Sequence, residues 1–356
     1  MAISQSSRKA KIAIIGAGVI GLRHAQSVVA CEQANLLCLV DPVFVARQEA
    51  EAFNVPLFES VAAMLQECKP DGAVVSTPNS THVAVAKELL SAGVHVLVEK
   101  PISVDSSSGQ GLVNHAEACG RRLLVGHHRR FNAYVTATKR ALDRGHTGMP
   151  VAVSGLWMLR KPAGYFEPPT DWRASAAGGG VILINMIHEV DTLQYLLGPI
   201  IRVHAEQTLS QRGHEAEEGA AIVLRFASGV VGTFVMCDST ASKHNFESST
   251  GENPIIPRAG ADCYRIFGTE GSLSVGDMTL SRHTSSAQKS WTSPLSDAVL
   301  PVEDIVPFDD QMLHFVDVIR GGARPRCSGA DGLRALSVCE AIKRSMAEAM
   351  PVDIVA

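Results

Sequence analysis

The chain has 356 residues, 46 % of them hydrophobic, which is more apolar material than one core usually uses, so two domains is the natural division. With 32 Lys and Arg against 36 Asp and Glu, the net charge of −4 provides no field that would gather nucleic acid or an anionic membrane, leaving a small molecule as the expected partner. The 8 cysteines form no C-x-x-C pair, so they read as reduced thiols of a cytoplasmic protein; no disulfide framework and no metal site are expected.

The opening MAISQSSRKAK precedes IAIIGAGVIG, a run broken by three glycines, which reads as a first strand and turn rather than a secretory leader. No apolar run reaches the roughly 18 to 20 residues of a membrane-spanning helix. Short β-branched runs follow at Lys11 to Ile15, Leu36 to Val40, Ala73 to Ser76, His95 to Val98 and Leu123 to Val125. They lack the alternation of a half-exposed strand, which suits parallel strands covered on both faces. Helical stretches separate them at Ile20 to Cys31, Val43 to Phe53, Val61 to Glu67, Thr81 to Ala92 and Ser106 to Ala118, so residues 1–126 are predicted to form an open, doubly wound α/β sheet. From 127 to 356 the pattern changes. A helix (Phe131 to Arg144), a strand (Val151 to Leu159), a Gly- and Pro-rich loop and a long helix (Ile184 to Leu197) lead into strands at Arg202 to Leu209, Ala220 to Phe226, Val230 to Cys237, Cys263 to Phe267 and Ser272 to Val275. That order predicts an α+β domain on a large, mainly antiparallel sheet. Ala241 to Gly260 and His283 to Pro301 read as excursions from it, and closing helices are expected near Asp309 to Arg320 and Gly329 to Ala349, with room to pack back on the first domain.

The first strand runs directly into Gly16-Ala17-Gly18-Val19-Ile20-Gly21, and Asp41 ends the next strand twenty residues later. Gly16 permits a tight turn, Gly18 admits a pyrophosphate against the backbone, Gly21 lets helix pack on strand, and the helix N-terminus, with Val19 and Ile20, faces the phosphates. Asp41 would bind the adenosine ribose hydroxyls and repel a 2′-phosphate, so the expected cofactor is NAD in preference to NADP. Arg47 reads as a solvated surface residue.

Two later strands end in distinctive turns, Ser76-Thr77-Pro78-Asn79 and Glu99-Lys100-Pro101, at carboxyl ends where such a cofactor must lie. The prolines stop the strands; Ser76, Thr77, Pro78, Asn79, His82 and Glu99 join the expected nucleotide set. Asn79-Ser80 reads equally as a cap for the following helix. Lys100, just past a buried strand, is either snorkelling to solvent or presented to a ligand.

In the combination of the Gly16 loop, the STPN turn, Glu99-Lys100-Pro101, the junction Gly126-His127-His128-Arg129-Arg130-Phe131-Asn132, Asp171-Trp172-Arg173, and Gly178-Gly179-Gly180 leading to a helix with His188, the sequence resembles the Gfo/Idh/MocA family. The resemblance spans nearly the whole chain. It implies an NAD(P)-dependent dehydrogenase of sugars, cyclitols or related cyclic alcohols. It also implies that the E-K-P lysine and a histidine of the first long helix in domain two hold the reacting oxygen beside the nicotinamide.

On that helix, Asn185, His188, Thr192 and Tyr195 recur at three- to four-residue intervals beside Glu189 and Asp191, forming a polar stripe on an apolar helix. The stripe is either a solvent-facing edge or, if buried, a set of groups that needs hydrogen-bonding partners such as a polar ligand. His188 can take a proton from an alcohol near neutral pH, with Lys100 favouring the alkoxide-like transition state. Many family members carry an acid four residues before this histidine; here the position is Ile184, and Asn185 can orient a substrate hydroxyl without carrying charge. Asp191 either orients the imidazole or makes a surface or interdomain contact.

Arg129, Arg130, Arg160, Lys161 and Arg173 either anchor the cofactor and domain interface or bind an anionic substrate. The first reading is preferred, with Arg129, Trp172 and Arg173 assigned to the substrate or nicotinamide end. His127 and His128 lack a third ligand at metal-binding spacing. The expected activity is therefore oxidation of a secondary alcohol of a sugar, cyclitol or related cyclic polyol. The alternatives are a dehydrogenase of carboxylated cyclic cis-dihydrodiols and a non-catalytic NAD-sensing regulator. A large antiparallel sheet leaves one face to cover, which points to a homodimer or homotetramer through domain two.

Overall fold

The computed structural model describes residues 8–43, 46–176, 178–284 and 289–354. The helix expected from Val43 and the excursion expected over 283–301 each include residues outside that description, as do the first seven residues of the chain. The chain divides into two compact units, Met1–Phe131 with Val306–Leu333, and Asn132–Ile305 with Arg334–Ala356.

In the first unit, β1 (Ala10–Ile15), β2 (Ala34–Val40), β3 (Leu57–Phe58), β4 (Gly72–Val75), β5 (His95–Val98) and β6 (Leu123–Val125) form one sheet in the order β3-β2-β1-β4-β5-β6. Every pairing is parallel. The intervening helices are α1 (Val19–Ala30), α2 (Ala46–Phe53), α3 (Val61–Glu67), α4 (His82–Ser91) and α5 (Ser106–Ala118). This is the doubly wound order in which the strand sequence reverses between β1 and β4, so the crevice outside their carboxyl ends is where a dinucleotide binds. The apolar runs behave as their composition requires: all four residues of β4 and all three of β6 are buried. β3, only two residues long, has no sequence signal of its own.

The second unit begins with α6 (Ala133–Asp143), capped by the Asn132 side chain accepting from the Tyr134 N–H at 2.9 Å. A nine-stranded sheet follows, built from β7 (Pro150–Met158), β8 (Ile200–Gln207), β9 (Gly219–Phe226), β10 (Val231–Cys237), β11 (Tyr264–Gly268), β12 (Gly271–Val275), β13 (Thr279–His283), β14 (Leu295–Val299) and β15 (Val352–Asp353). Its order is β14-β13-β12-β11-β7-β10-β9-β8-β15, and only β7 with β10 runs parallel. α7 (Ile187–Leu197) and α8 (Phe246–Thr250) lie between strands, and the chain closes through α9 (Pro307–Ile319) and α10 (Gly329–Glu348).

The expected excursion over His283 to Pro301 needs correction, because Leu295–Val299 pairs antiparallel with β13 and extends the sheet. Its five residues are all exposed, as suits an edge strand; without a buried face it carries no alternating pattern to read. The segment Val306–Leu333 belongs to the first unit, where Met312, Phe315, Val316 and Val318 of α9 enter the core with Ile12, Ile14 and Leu39. No helix among the described residues is long and apolar enough to cross a membrane.

The inner face of the second sheet packs on α6 and α7 through a core that includes Trp157, Phe226, Phe234 and Tyr264. Gly155 of β7 stands opposite Phe234 of β10, and a Cβ at 155 would overlap the Phe234 ring. Gly155→Ala should therefore destabilise the second unit by about 1–3 kcal/mol, the usual range for overpacking. Chemical denaturation of wild type and variant measures this directly, and an unchanged midpoint would show that the ring moves aside without cost.

Candidate active site

At the end of β1, Gly16 adopts a φ of 92°, and a Cβ there would lie 2.7 Å from the Ser76 carbonyl oxygen at the end of β4. Both backbone angle and contact demand glycine. At Gly21 a Cβ would overlap the Gly16 carbonyl oxygen, so this glycine seats α1 against the turn that feeds it. Gly18 differs: a Cβ there would meet nothing within 4 Å. Protein packing does not require that glycine, and the space it leaves beside the start of α1 fits a pyrophosphate. Beside it Val19 is 86 % and Ile20 44 % exposed.

Asp41 is held in place by accepting the Ala17 N–H at Oδ2 and the Val43 N–H at Oδ1, both at 2.8 Å. Each oxygen keeps a second lone pair, which is what two ribose hydroxyls need. These residues fit a dinucleotide. The Ser76 hydroxyl lies 3.1 Å from the Ile15 and 3.0 Å from the Gly16 carbonyl oxygens, so it ties the two turns rather than facing outward. Thr77 is half-buried and Pro78 and Asn79 are exposed; no side chain caps the turn or α4, so the helix-cap reading of Asn79 has no counterpart.

His82 is 1 % exposed, with Nδ1 2.9 Å from the Pro101 carbonyl oxygen and Nε2 2.8 Å from that of Thr77. It braces the STPN turn against the E-K-P turn from below. Glu99 is likewise buried, 9 % exposed: Oε1 is 2.7 Å from His24 Nε2, and Oε2 accepts the Lys100 backbone N–H at 3.1 Å. Burial pushes its carboxyl up, but the bond and charge of His24, with His128 and Lys100, outweigh that and hold it at about 2. Phe308 of α9 covers this pair, edge-on to His24 and stacked on His128 at 4.6 Å between centroids. Gly126 leaves room for it, since a Cβ there would come within 2.6 Å of Glu99 Oε1. Lys100, half-buried, thus leaves β5 on a turn whose preceding residue is anchored at both carboxylate oxygens. Arg129 and Arg130, 3 % and 4 % exposed, lie in the first unit too; Arg130 donates to the Arg326 carbonyl at 2.5 Å.

In the second unit the long helix starts irregularly. Ile182–Met186 is a π-helical turn, and α7 continues from Ile187. Glu217 holds its first turn: the Val181 N–H donates to its carbonyl at 3.2 Å and the Ile182 N–H to Oε1 at 3.0 Å. Single π turns interrupting α-helices are frequent at functional sites. The stripe is buried rather than solvent-facing: His188 is 9 % exposed and Glu189, Asp191 and Thr192 are 0 %. Thr192 returns its hydroxyl to the His188 carbonyl at 2.8 Å, and Glu189 accepts from the Tyr264 hydroxyl. Asn185, within the π turn, accepts from Lys161 Nζ at 2.7 Å.

Lys161 is 9 % exposed, and its Nζ is also 3.2 Å from Asp238 Oδ2, at the end of β10. Burial pushes its ammonium down to about 8, against the attraction of Asp238. Arg212 pairs with the same carboxylate at 2.6 Å, and its backbone N–H donates to Glu218 Oε1 at 2.7 Å. Arg173 stacks on Tyr165 at 3.9 Å from the ring centroid and donates to the Tyr165 carbonyl at 3.2 Å. Trp172 beside it is 46 % exposed. Lys161, Arg173, Arg212, Glu218 and Asp238 line a narrow cleft that also takes in Ile184 and His214. Asp238, Arg212, Glu217 and Tyr165 escaped the sequence reading, although Asp238, a charge just past an apolar strand, carries the signal that singled out Lys100.

Residues 10–127 match the model of an oxidoreductase family with an NAD-binding Rossmann fold, and residues 139–354 match its C-terminal alpha/beta domain. The chain belongs to the Gfo/Idh/MocA oxidoreductase family. It is 25 % identical to the inositol 2-dehydrogenase of Rhizobium meliloti (strain 1021), over 97 % of this chain and 99 % of that protein. It is 26 % identical to the D-apiose dehydrogenase of Paraburkholderia graminis, over 99 % of this chain and 92 % of that protein. Among solved structures, the WlbA dehydrogenase of Bordetella pertussis, crystallised with NADH and UDP-GlcNAcA, superposes with a TM-score of 0.78 at 24 % identity, covering 98 % of this chain and 100 % of that one. As a member of the Gfo/Idh/MocA family the chain is an oxidoreductase, and its first unit is an NAD-binding Rossmann domain.

The carboxyl buried under the E-K-P turn of this family member gives a pH signature. Because Glu99 titrates at about 2 in the folded chain and near 4.5 when unfolded, its stabilisation is complete above pH 4.5 and is lost as pH falls toward 2. The difference amounts to on the order of 3 kcal/mol. Glu99→Gln should flatten that part of the stability-against-pH curve; parallel curves for the two proteins between pH 5 and 3 would contradict the assignment.

Proposed function

We propose that the chain oxidises a secondary alcohol of a sugar, cyclitol or related cyclic polyol. NAD, when bound, accepts the hydride that leaves the carbinol carbon. His188 takes the hydroxyl proton as the C–O bond becomes a carbonyl, a task an imidazole performs near neutral pH. The Lys100 ammonium stabilises the negative charge that builds on the oxygen. Asn185 orients the substrate. The observation that carries this reading is that a lysine on an anchored turn and a buried histidine on the irregular helix are both present in a chain with the dinucleotide turn intact. The relatives named for inositol and apiose support the polyol class. The fixed carboxylate of Asp41 favours NAD over NADP, because a 2′-phosphate would meet its charge.

Purified protein with NAD and a panel of cyclitols and aldoses should raise nicotinamide absorbance. Lys100→Ala should lower kcat by about 10²–10³, the usual cost of removing a charge-stabilising donor, while NAD binding followed by fluorescence persists. Turnover by the variant equal to wild type would remove Lys100 from the mechanism.

We also propose that the outer face of the second sheet joins copies of this chain as a homodimer or homotetramer. On that face Val223 of β9, Val231 of β10 and Phe267 of β11 are 52 %, 51 % and 41 % exposed, an apolar set that a lone subunit leaves in water. Light scattering should give twice or four times the chain mass, and Val223→Glu with Val231→Glu should shift it toward the monomer. A monomer at working concentration for wild type rules the interface out.

A further inference from the structure

The contact between Lys161 and Asn185 decides which way the Asn185 amide faces. An asparagine side chain offers an oxygen that accepts and a nitrogen that donates, whereas a lysine ammonium, the form Lys161 holds at neutral pH, has no acceptor in any geometry. With Nζ 2.7 Å from Oδ1, the amide oxygen must face the lysine. Nδ2 then points away from Lys161; it has no partner among the described residues, and Asn185 is half-buried rather than sealed in. Lys161 itself cannot swing aside freely. Asp238 holds Nζ at 3.2 Å, the Tyr165 ring lies 4.6 Å from it, and its own backbone N–H donates to the Asp238 carbonyl at 2.9 Å.

We propose that Lys161 is a positioning residue that locks the Asn185 amide with its N–H₂ group toward the substrate, so that the site selects an acceptor oxygen on a carbon neighbouring the one oxidised. The inference rests on the polyol-dehydrogenase reading and narrows it. Asn185 lies in the π turn that runs directly into α7, three residues before His188, so the proposal sets the group held by Asn185 beside the oxygen served by His188. A hydroxyl or carbonyl there accepts from Nδ2. A hydrogen leaves the donor unsatisfied, and an ammonium sets donor against donor beside a buried lysine. The favoured substrates are vicinal diols and hydroxyketones, and amino analogues at the neighbouring carbon are excluded.

The test compares kcat/KM for myo-inositol with that for its monodeoxy and monoamino derivatives at carbons flanking the oxidised one, in wild type and variants. Wild type should favour hydroxyl over amino by at least about 100-fold. Lys161→Met, which frees the amide to flip while Arg212 still pairs Asp238, should shrink that ratio about tenfold or more. Lys161→Arg, also donor-only, should preserve it. Adding Lys161→Met to Asn185→Ala should change the ratio no further, as expected of residues acting through one contact. A ratio equal in wild type and Lys161→Met overturns the proposal. The side-chain amide signal of Asn185, read by NMR on ¹⁵N-asparagine-labelled protein, gives a readout independent of turnover: it should shift in Lys161→Met and stay near its place in Lys161→Arg. If wild type binds NAD but oxidises no polyol, the polyol reading fails separately, and an amide signal unmoved by Lys161→Met overturns the lysine's role.

Discussion

The nucleotide unit depends on a contact of backbone with backbone at the point where its strand order reverses. The turn after β1 presses on the turn after β4 closely enough that Gly16 has no room for a side chain, and α1 presses on the same turn closely enough that Gly21 has none. Two glycines are thus consumed by the protein's own packing, and the Ser76 hydroxyl secures the join. Only then does the start of α1 stand clear, with Gly18 open and Asp41 fixed at the flank. The anion site is what remains after the fold has closed around it on the other sides.

Beneath the second turn the same economy appears in charge. Glu99 could not be buried alone, since the desolvation of a carboxylate is large. His24 from α1, the Lys100 backbone N–H and the Phe308 cover convert that cost into an anchor. His82 performs the equivalent task for the neighbouring turn with two backbone carbonyls. Glu99, His82 and Ser76, which a motif-based reading groups with the ligand, spend their side chains on holding the turns together.

The parallel sheet was legible because continuous apolar runs and punctuating turns are local properties, and five of its strands follow from them. β14 was not, because an edge strand with no buried face has no pattern to show. The dinucleotide turn was legible through spacing alone. The π turn at Ile182–Met186 was not, and neither was the residue that holds its start, Glu217, thirty-five positions along the chain from the Ile182 N–H it accepts. Lys161 was visible as a basic residue near the site, but its partner was not: Asp238 reaches it because β10 runs parallel beside β7, a pairing set by the whole sheet.

That pairing also bears on the departure at Ile184. The family resemblance implies an acid at this helical position, and here the helix offers an isoleucine and, one residue later, an uncharged amide. Lys161 nevertheless lies against that amide, and a buried ammonium without a carboxylate would be strongly disfavoured. Asp238 supplies the charge from a strand end, shared with Arg212, so the lysine is held without any acid on the helix. Burial still outweighs that support, and the ammonium titrates only about one unit above neutrality. In the proposed role of Asn185, the helix carries a neutral group whose orientation, rather than whose charge, meets the ligand. An amide so fixed can only donate and selects an acceptor, where a carboxylate in its place could only accept and would select a donor.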